Sequence, residues 1–156
     1  MKSPVSKLKL YLDTTIPSYV FALDSPQRMD ITRRFMRLGR VQYEMVISDV
    51  VMDEIAAAPE PKRELLLEEI KHLPVLPLTP EARYLAQAYI QMKILPERSL
   101  ADARHVALAT LNRVDALVSW NFSHLVNVRR TKAINLLHAN LNLPHIAIIT
   151  PEEVLE

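Results

Sequence analysis

Short apolar runs alternate along the chain with longer stretches in which apolar residues recur every three or four positions, a pattern that predicts strands interleaved with helices. Leu8-Lys9-Leu10-Tyr11-Leu12 reads as a first strand, and Pro17 stands where a short helix starts. Ser25-Pro26 is a cap and first-turn pair for a helix to about Leu38. A second strand begins near Tyr43 and ends in Val46-Ile47-Ser48, after which Ser48 or Asp49 caps a helix through about Ala57. Pro59 and Pro61 break the chain before a helix over 62–72, and Val75-Leu76 forms a short strand between prolines. Thr79-Pro80-Glu81 opens a helix to about Met92, and Ser99 caps another to about Asn112. Residues 115–119 form a strand, 129–141 a helix and 146–149 the last strand, with a terminal helical turn at 151–155.

Strands separated by helices imply crossover connections, hence a mainly parallel sheet covered on both faces. No repeat, linker or low-complexity tract interrupts residues 1–156, so a single domain is expected. Loops at the carboxyl ends of parallel strands meet where strand order switches, and this is where open α/β sheets place their sites. Asp13, Ser48 with Glu54 beyond it, and Ser119-Trp120-Asn121 all follow predicted strands.

Composition narrows the chemistry. Apolar residues make up 49% of the chain and there is one glycine, which excludes disorder and glycine-cradled phosphate loops. There is no cysteine, so disulfides, thiolate metal sites and thiol nucleophiles are excluded. No apolar run approaches the ~18 residues of a membrane helix, and the first residues lack a signal-peptide core; a cytoplasmic protein with no membrane association is expected. The net charge is only +1, but Arg28, Arg33, Arg34, Arg37 and Arg40 cluster, as do Arg129, Arg130 and Lys132. Such patches either bind a polyanion or are simply solvated helix faces.

Three acids stand out: Asp13, Glu54 and Asp102. Asp13, before Thr14 and Thr15, is either a turn residue or a site acid. Glu54 has Val50, Val51, Ala57 and Ala58 as helical neighbours, and a carboxylate beside an apolar stripe needs a partner or a metal. Asp53, by contrast, reads as a solvated or capping acid. Asp102 lies in Ser99-Leu100-Ala101-Asp102, where a capping box explains it equally well. His105 and His124 are candidate ligands, although a lone histidine is more often structural.

Tyr11-Leu12-Asp13-Thr14-Thr15-Ile16-Pro17-Ser18-Tyr19, Ile47-Ser48-Asp49-Val50-Val51-Met52-Asp53-Glu54-Ile55, Ala101-Asp102-Ala103-Arg104-His105-Val106-Ala107-Leu108-Ala109 and Leu117-Val118-Ser119-Trp120-Asn121-Phe122-Ser123-His124-Leu125 resemble the ordered motifs of PIN domains. The resemblance covers nearly the whole chain. It implies a three-layer α/β/α sandwich with a central, mainly parallel sheet, and a metal-dependent ribonuclease site. Many members are toxins of toxin–antitoxin pairs of the VapC kind, so an antitoxin partner and a homodimer are implied too. The family's acids fall on Asp13, Glu54 and Asp102, which implies that these hold the metal; its fourth position, often Asp, falls on Asn121, the remaining catalytic candidate. Thr14, Thr15 and Ser119 are supporting candidates, which either hold a carboxylate or a metal-bound water or serve equally well as caps.

Oxygen-only ligands favour Mg²⁺ or Mn²⁺ over Zn²⁺, and such an ion would activate a water for attack on a backbone phosphorus. The expected substrate is single-stranded RNA, approached over Arg33, Arg37, Arg129 and Arg130, with bases stacking on exposed aromatics such as Trp120 or Tyr19, although a buried or partner-facing Trp120 explains that residue at least as well. The alternatives are a non-catalytic module of the same fold that binds nucleic acid or a partner, and a phosphotransfer domain. Asp13-Thr14-Thr15 lacks the second acid that the latter requires.

Overall fold

The computed structural model describes residues 7–155. Five strands and eight α-helices alternate: β1 (Lys9–Leu12), α1 (Thr15–Tyr19), α2 (Pro26–Gln42), β2 (Glu44–Ser48), α3 (Asp49–Ala56), α4 (Lys62–Ile70), β3 (Val75–Leu76), α5 (Pro80–Gln91), α6 (Leu100–Leu111), β4 (Ala116–Val118), α7 (Val128–Asn140), β5 (Ile148–Ile149) and α8 (Pro151–Val154). A 3₁₀ turn, Glu97–Ser99, leads into α6. The sheet has the order β3-β2-β1-β4-β5 and every pairing is parallel. The chain moves outward from β1 to β3 on one side, then crosses to β4 and β5 on the other. The switch in strand order therefore falls between β1 and β4.

The period of two along the strands divides the core into two layers. Leu10 and Leu12, with Met45, Ile47, Ala116 and Val118, pack under the layer of α1 to α4 against Phe35, Met36, Ile55 and Leu66. Tyr11, Val46, Leu117 and Ile148 face the opposite layer of α5 to α7, meeting Leu85, Tyr89, Val106 and Ile134. The α/β/α sandwich and its parallel sheet are thus present as expected.

Side-chain caps start four of the eight α-helices. Ser48 accepts from Val50 N, Thr79 from Ala82 N, Asn127 from Arg130 N and Thr150 from Glu153 N. Ser25 and Ser99, both expected to cap, make no side-chain cap bond. At Ser99 the preceding 3₁₀ turn takes the place of the cap, so the capping-box reading of Asp102 fails. Gly39, inside α2, lets the helix lie close on β2, because a Cβ there would meet Met45 Sδ at 2.7 Å. Among the described residues no helix is long and apolar enough to cross a membrane.

Candidate active site

Asp13, the first residue after β1, donates its backbone N–H to Val118 O of β4 at 3.3 Å. Its side chain is 2% exposed. Oδ1 accepts from Thr15 N at 3.0 Å and from the Thr15 hydroxyl, and Oδ2 accepts from the Ser119 hydroxyl. Thr15 Oγ1 accepts from Trp120 N at 2.9 Å, and Ser119 Oγ from Asn121 N at 2.9 Å. The loops after β1 and β4 are therefore stitched together around a single buried carboxylate. Asp13 is a turn residue of the Asx type and a pocket acid at once.

Glu54 reaches the same place from α3. Its Oε1 accepts from Thr14 Oγ1 at 2.6 Å and from His105 Nε2 at 2.7 Å. His105 lies one turn along α6 from Asp102 and is 1% exposed. Its Nδ1 is 2.7 Å from the Tyr11 hydroxyl, which is 2.6 Å from Ser48 Oγ. A chain of hydrogen bonds, buried as far as His105, thus runs Ser48–Tyr11–His105–Glu54 from β2 across β1 to the more exposed Glu54. Asp102 Oδ2 accepts from Asn121 Nδ2 at 3.3 Å, while Asn121 Oδ1 accepts from His124 N at 3.0 Å. Asn121 serves here as a donor to an acid and as the clasp of its own loop. No aspartate could donate in its place.

The electrostatics follow from burial and mutual proximity. Burial pushes the Asp13 carboxyl above its ordinary range, against the opposing pull of His105, Ser119 and Thr15. Burial also raises Asp102, with further repulsion from Glu54, against His105, His124 and Asn121. Burial alone would raise Glu54, but the bond and charge of His105 and the bond from Thr14 bring it below its ordinary value. Burial disfavours the His105 imidazolium, yet the bond to Glu54 and the charges of Asp13, Glu54 and Asp102 outweigh that and raise its pKa. Three carboxylates surround one weak cation, so positive charge is in deficit.

A family model described as PIN domain matches residues 10–121. The chain belongs to the PIN domain family. The match spans the segments carrying Asp13, Glu54, Asp102 and Asn121. PIN domains are in general nucleases that hydrolyse phosphodiester bonds with a divalent metal. No curated protein matches the sequence. Among solved structures the chain is similar to VapBC2 from Rickettsia felis bound to a DNA fragment from their promoter. The TM-score is 0.57 at 12% identity, over 92% of this chain and 98% of that one, a likeness of fold.

The donor chemistry of this PIN domain fits a hard cation. All three acids offer oxygen, and among the described residues Glu54 Oε2 and Asp102 Oδ1 have no protein hydrogen-bond partner. The donors do not form a closed cage, since no group of three His, Cys, Asp or Glu side chains among the described residues is gathered as an ion site.

The remaining expected residues scatter more widely. Arg33 and Arg37 lie exposed along α2, where Arg33 Nε donates to Val20 O at 2.8 Å. Arg129 and Arg130 begin α7, and Arg130 Nη1 approaches Ile94 O at 3.4 Å. Trp120 is a correction. It is 5% exposed and its Nε1 donates to Thr32 Oγ1 at 2.8 Å, so its ring belongs to the core and offers no face to a base. Tyr11 is a site residue that motif reasoning passed over, whereas Thr15, a supporting candidate, bonds Asp13, and His105, a candidate ligand, bonds both Tyr11 and Glu54. The signal for Tyr11 was a tyrosine in the middle of a buried strand, which needs a partner.

Proposed function

We propose that this PIN domain is a cytoplasmic endoribonuclease that hydrolyses single-stranded RNA with Mg²⁺ or Mn²⁺, and that it is the toxin of a toxin–antitoxin pair. The observation carrying this reading is the set of hydrogen bonds that links the three acids near the switch between β1 and β4: Ser119 joins Asp13 to Asn121, Asn121 bonds Asp102, and His105, one turn from Asp102, bonds Glu54. These three would hold the cation, which when bound activates water and neutralises charge developing on the phosphoryl oxygens.

The chain's own contribution is preorganisation. Thr15 and Ser119 fix both oxygens of Asp13, so this acid cannot rotate away from the cluster. Thr14 and His105 hold Glu54 by one oxygen and leave the other for a ligand. Asn121 holds Asp102 by one oxygen in the same manner and adds no negative charge. Arg33, Arg37, Arg129 and Arg130 supply the positive approach for a phosphate backbone. The VapBC2 relative supports an antitoxin partner, and a homodimer belongs to the same proposal.

Asp13→Asn and Asp102→Asn should each abolish metal-dependent cleavage while keeping the circular dichroism of the parent. Variants that cut as fast as the parent would refute the site. A second reading, a PIN-fold module that binds RNA or a partner without cutting, is favoured by one observation: Asp13 has both oxygens engaged and Glu54 is already paired with His105. RNA binding with no cleavage under either ion would establish it.

A further inference from the structure

Trp120 and Phe122 flank Asn121, the residue that holds Asp102, yet they sit in opposite environments. Trp120 is pinned to the core through Thr32, while Phe122 is 45% exposed. Arg28 lies one turn before Thr32 on α2, where its carbonyl accepts the Thr32 hydroxyl at 2.6 Å. That turn places the Arg28 guanidinium 4.8 Å from the Phe122 ring centre and 5.4 Å from that of Trp120. The two rings are 6.2 Å apart. Arg28 is exposed and makes no ion pair among the described residues. A cation over a ring at an exposed site is a weak contact by itself, so packing does not account for the exposed phenyl. A guanidinium seated over an aromatic ring, with no ion-pair partner among the described residues, suits a flat base stacked on that cation–ring pair and the phosphate attached to it.

We propose that Phe122 and Arg28 form a stacking platform for one unpaired nucleobase, next to the phosphate presented to Asp13, Glu54 and Asp102. The inference rests on the ribonuclease reading. The platform tolerates any base, because stacking uses the π face alone, and Arg28 reaches the adjoining phosphate. It takes the role that Trp120, buried, cannot fill.

The probe is a labelled uridine octamer, titrated in EDTA so that it stays intact, with affinity read by anisotropy and by the fluorescence of Trp120, the only tryptophan. Phe122→Ala should weaken binding about 5- to 150-fold, the worth of one stacked base. The slope of log Kd on log salt should stay unchanged, because the phosphate contacts remain. Phe122→Trp should restore affinity, and Arg28→Lys, which keeps the charge and loses the plane, should weaken binding. Tyr84→Ala, removing a tyrosine that is 81% exposed on α5, should change nothing. Phe122→Ala binding as tightly as the parent, or losing as much affinity for a base-free octamer, overturns the platform. If the parent still cleaves RNA, that result spares the ribonuclease reading; a parent that neither binds nor cuts RNA overturns both.

Discussion

Replacing Tyr11 by phenylalanine isolates a single hydroxyl. The ring stays in the same fully buried position, but the 2.6 Å contact with Ser48 and the 2.7 Å contact with His105 Nδ1 disappear together. Ser48 keeps its bond from Val50 N, whereas His105 Nδ1 is left buried with no partner. The bond lost to Ser48 is worth about 0.5–1.5 kcal/mol net, and stranding the buried His105 nitrogen costs about 1–3 kcal/mol, so the sum is about 1.5–4.5 kcal/mol. At about 2–4 °C per kcal/mol for a chain of this size, Tm should fall by about 3–18 °C. Urea unfolding followed by circular dichroism gives the free energy directly. A double-mutant cycle with Glu54→Gln adds a sharper readout, since both changes act on His105 and should miss additivity by more than about 0.5 kcal/mol. A loss below about 0.5 kcal/mol, the scatter of ordinary surface changes, together with additive effects, would refute the view that this chain of hydrogen bonds positions Glu54.

Other outcomes follow from the same geometry. Without divalent ions, stability should fall as pH rises from the ordinary value of 4.5 for Glu54, past that of 6.5 for His105, toward pH 8. The sign is set by Glu54, lowered on folding and hence stabilising above its unfolded value, and by His105, Asp13 and Asp102, all raised and hence losing stability as pH rises through their folded values. Metal-free stability that climbs from pH 6 to 8 in urea titrations would contradict this. Asn121→Asp sets a carboxylate against Asp102 Oδ2 in place of a donor at 3.3 Å, so it should lower metal-free stability by about 1–3 kcal/mol and gain more from added Mn²⁺ than the parent does. Equal metal-free melting of the two proteins would count against the assigned bond. Arg113, with φ 53° after α6, occupies the left-handed region; Arg113→Gly should stabilise by about 0.5–1 kcal/mol in thermal melts, and a lower Tm would show that its side chain matters more than its backbone.

The alternation of apolar runs made the order of strands and helices readable, and β3 falls on the predicted residues. Boundaries slipped where a residue has a tertiary duty. The helix expected to end near Leu38 runs to Gln42, because Gly39 serves close packing on Met45 and does not stop the helix. The last strand, expected from Ile146, pairs only at Ile148–Ile149, since the Asn135 amide satisfies Ile146 N and O instead. Ser119, expected at a strand end, turns its hydroxyl to Asp13. The acids were legible because Asp13 follows a predicted strand, Glu54 lies beside the apolar stripe of a predicted helix and Asp102 begins another. Their organiser was not, because Tyr11 and His105 are 94 residues apart and meet only through the pleat of β1 and the placement of α6. For Trp120 the sequence left an exposed and a buried ring both open, because the partner that decides for burial, Thr32, lies 88 residues away.

The most direct measurement is the incubation of purified protein with end-labelled single-stranded RNA in Mg²⁺, in Mn²⁺ and in EDTA, beside Asp13→Asn. Internal cleavage with at least one ion, none in EDTA and none by the variant is the predicted result. Cleavage that persists in EDTA or in Asp13→Asn, or RNA left intact by the parent under every condition, would contradict a metal-dependent ribonuclease built on these carboxylates.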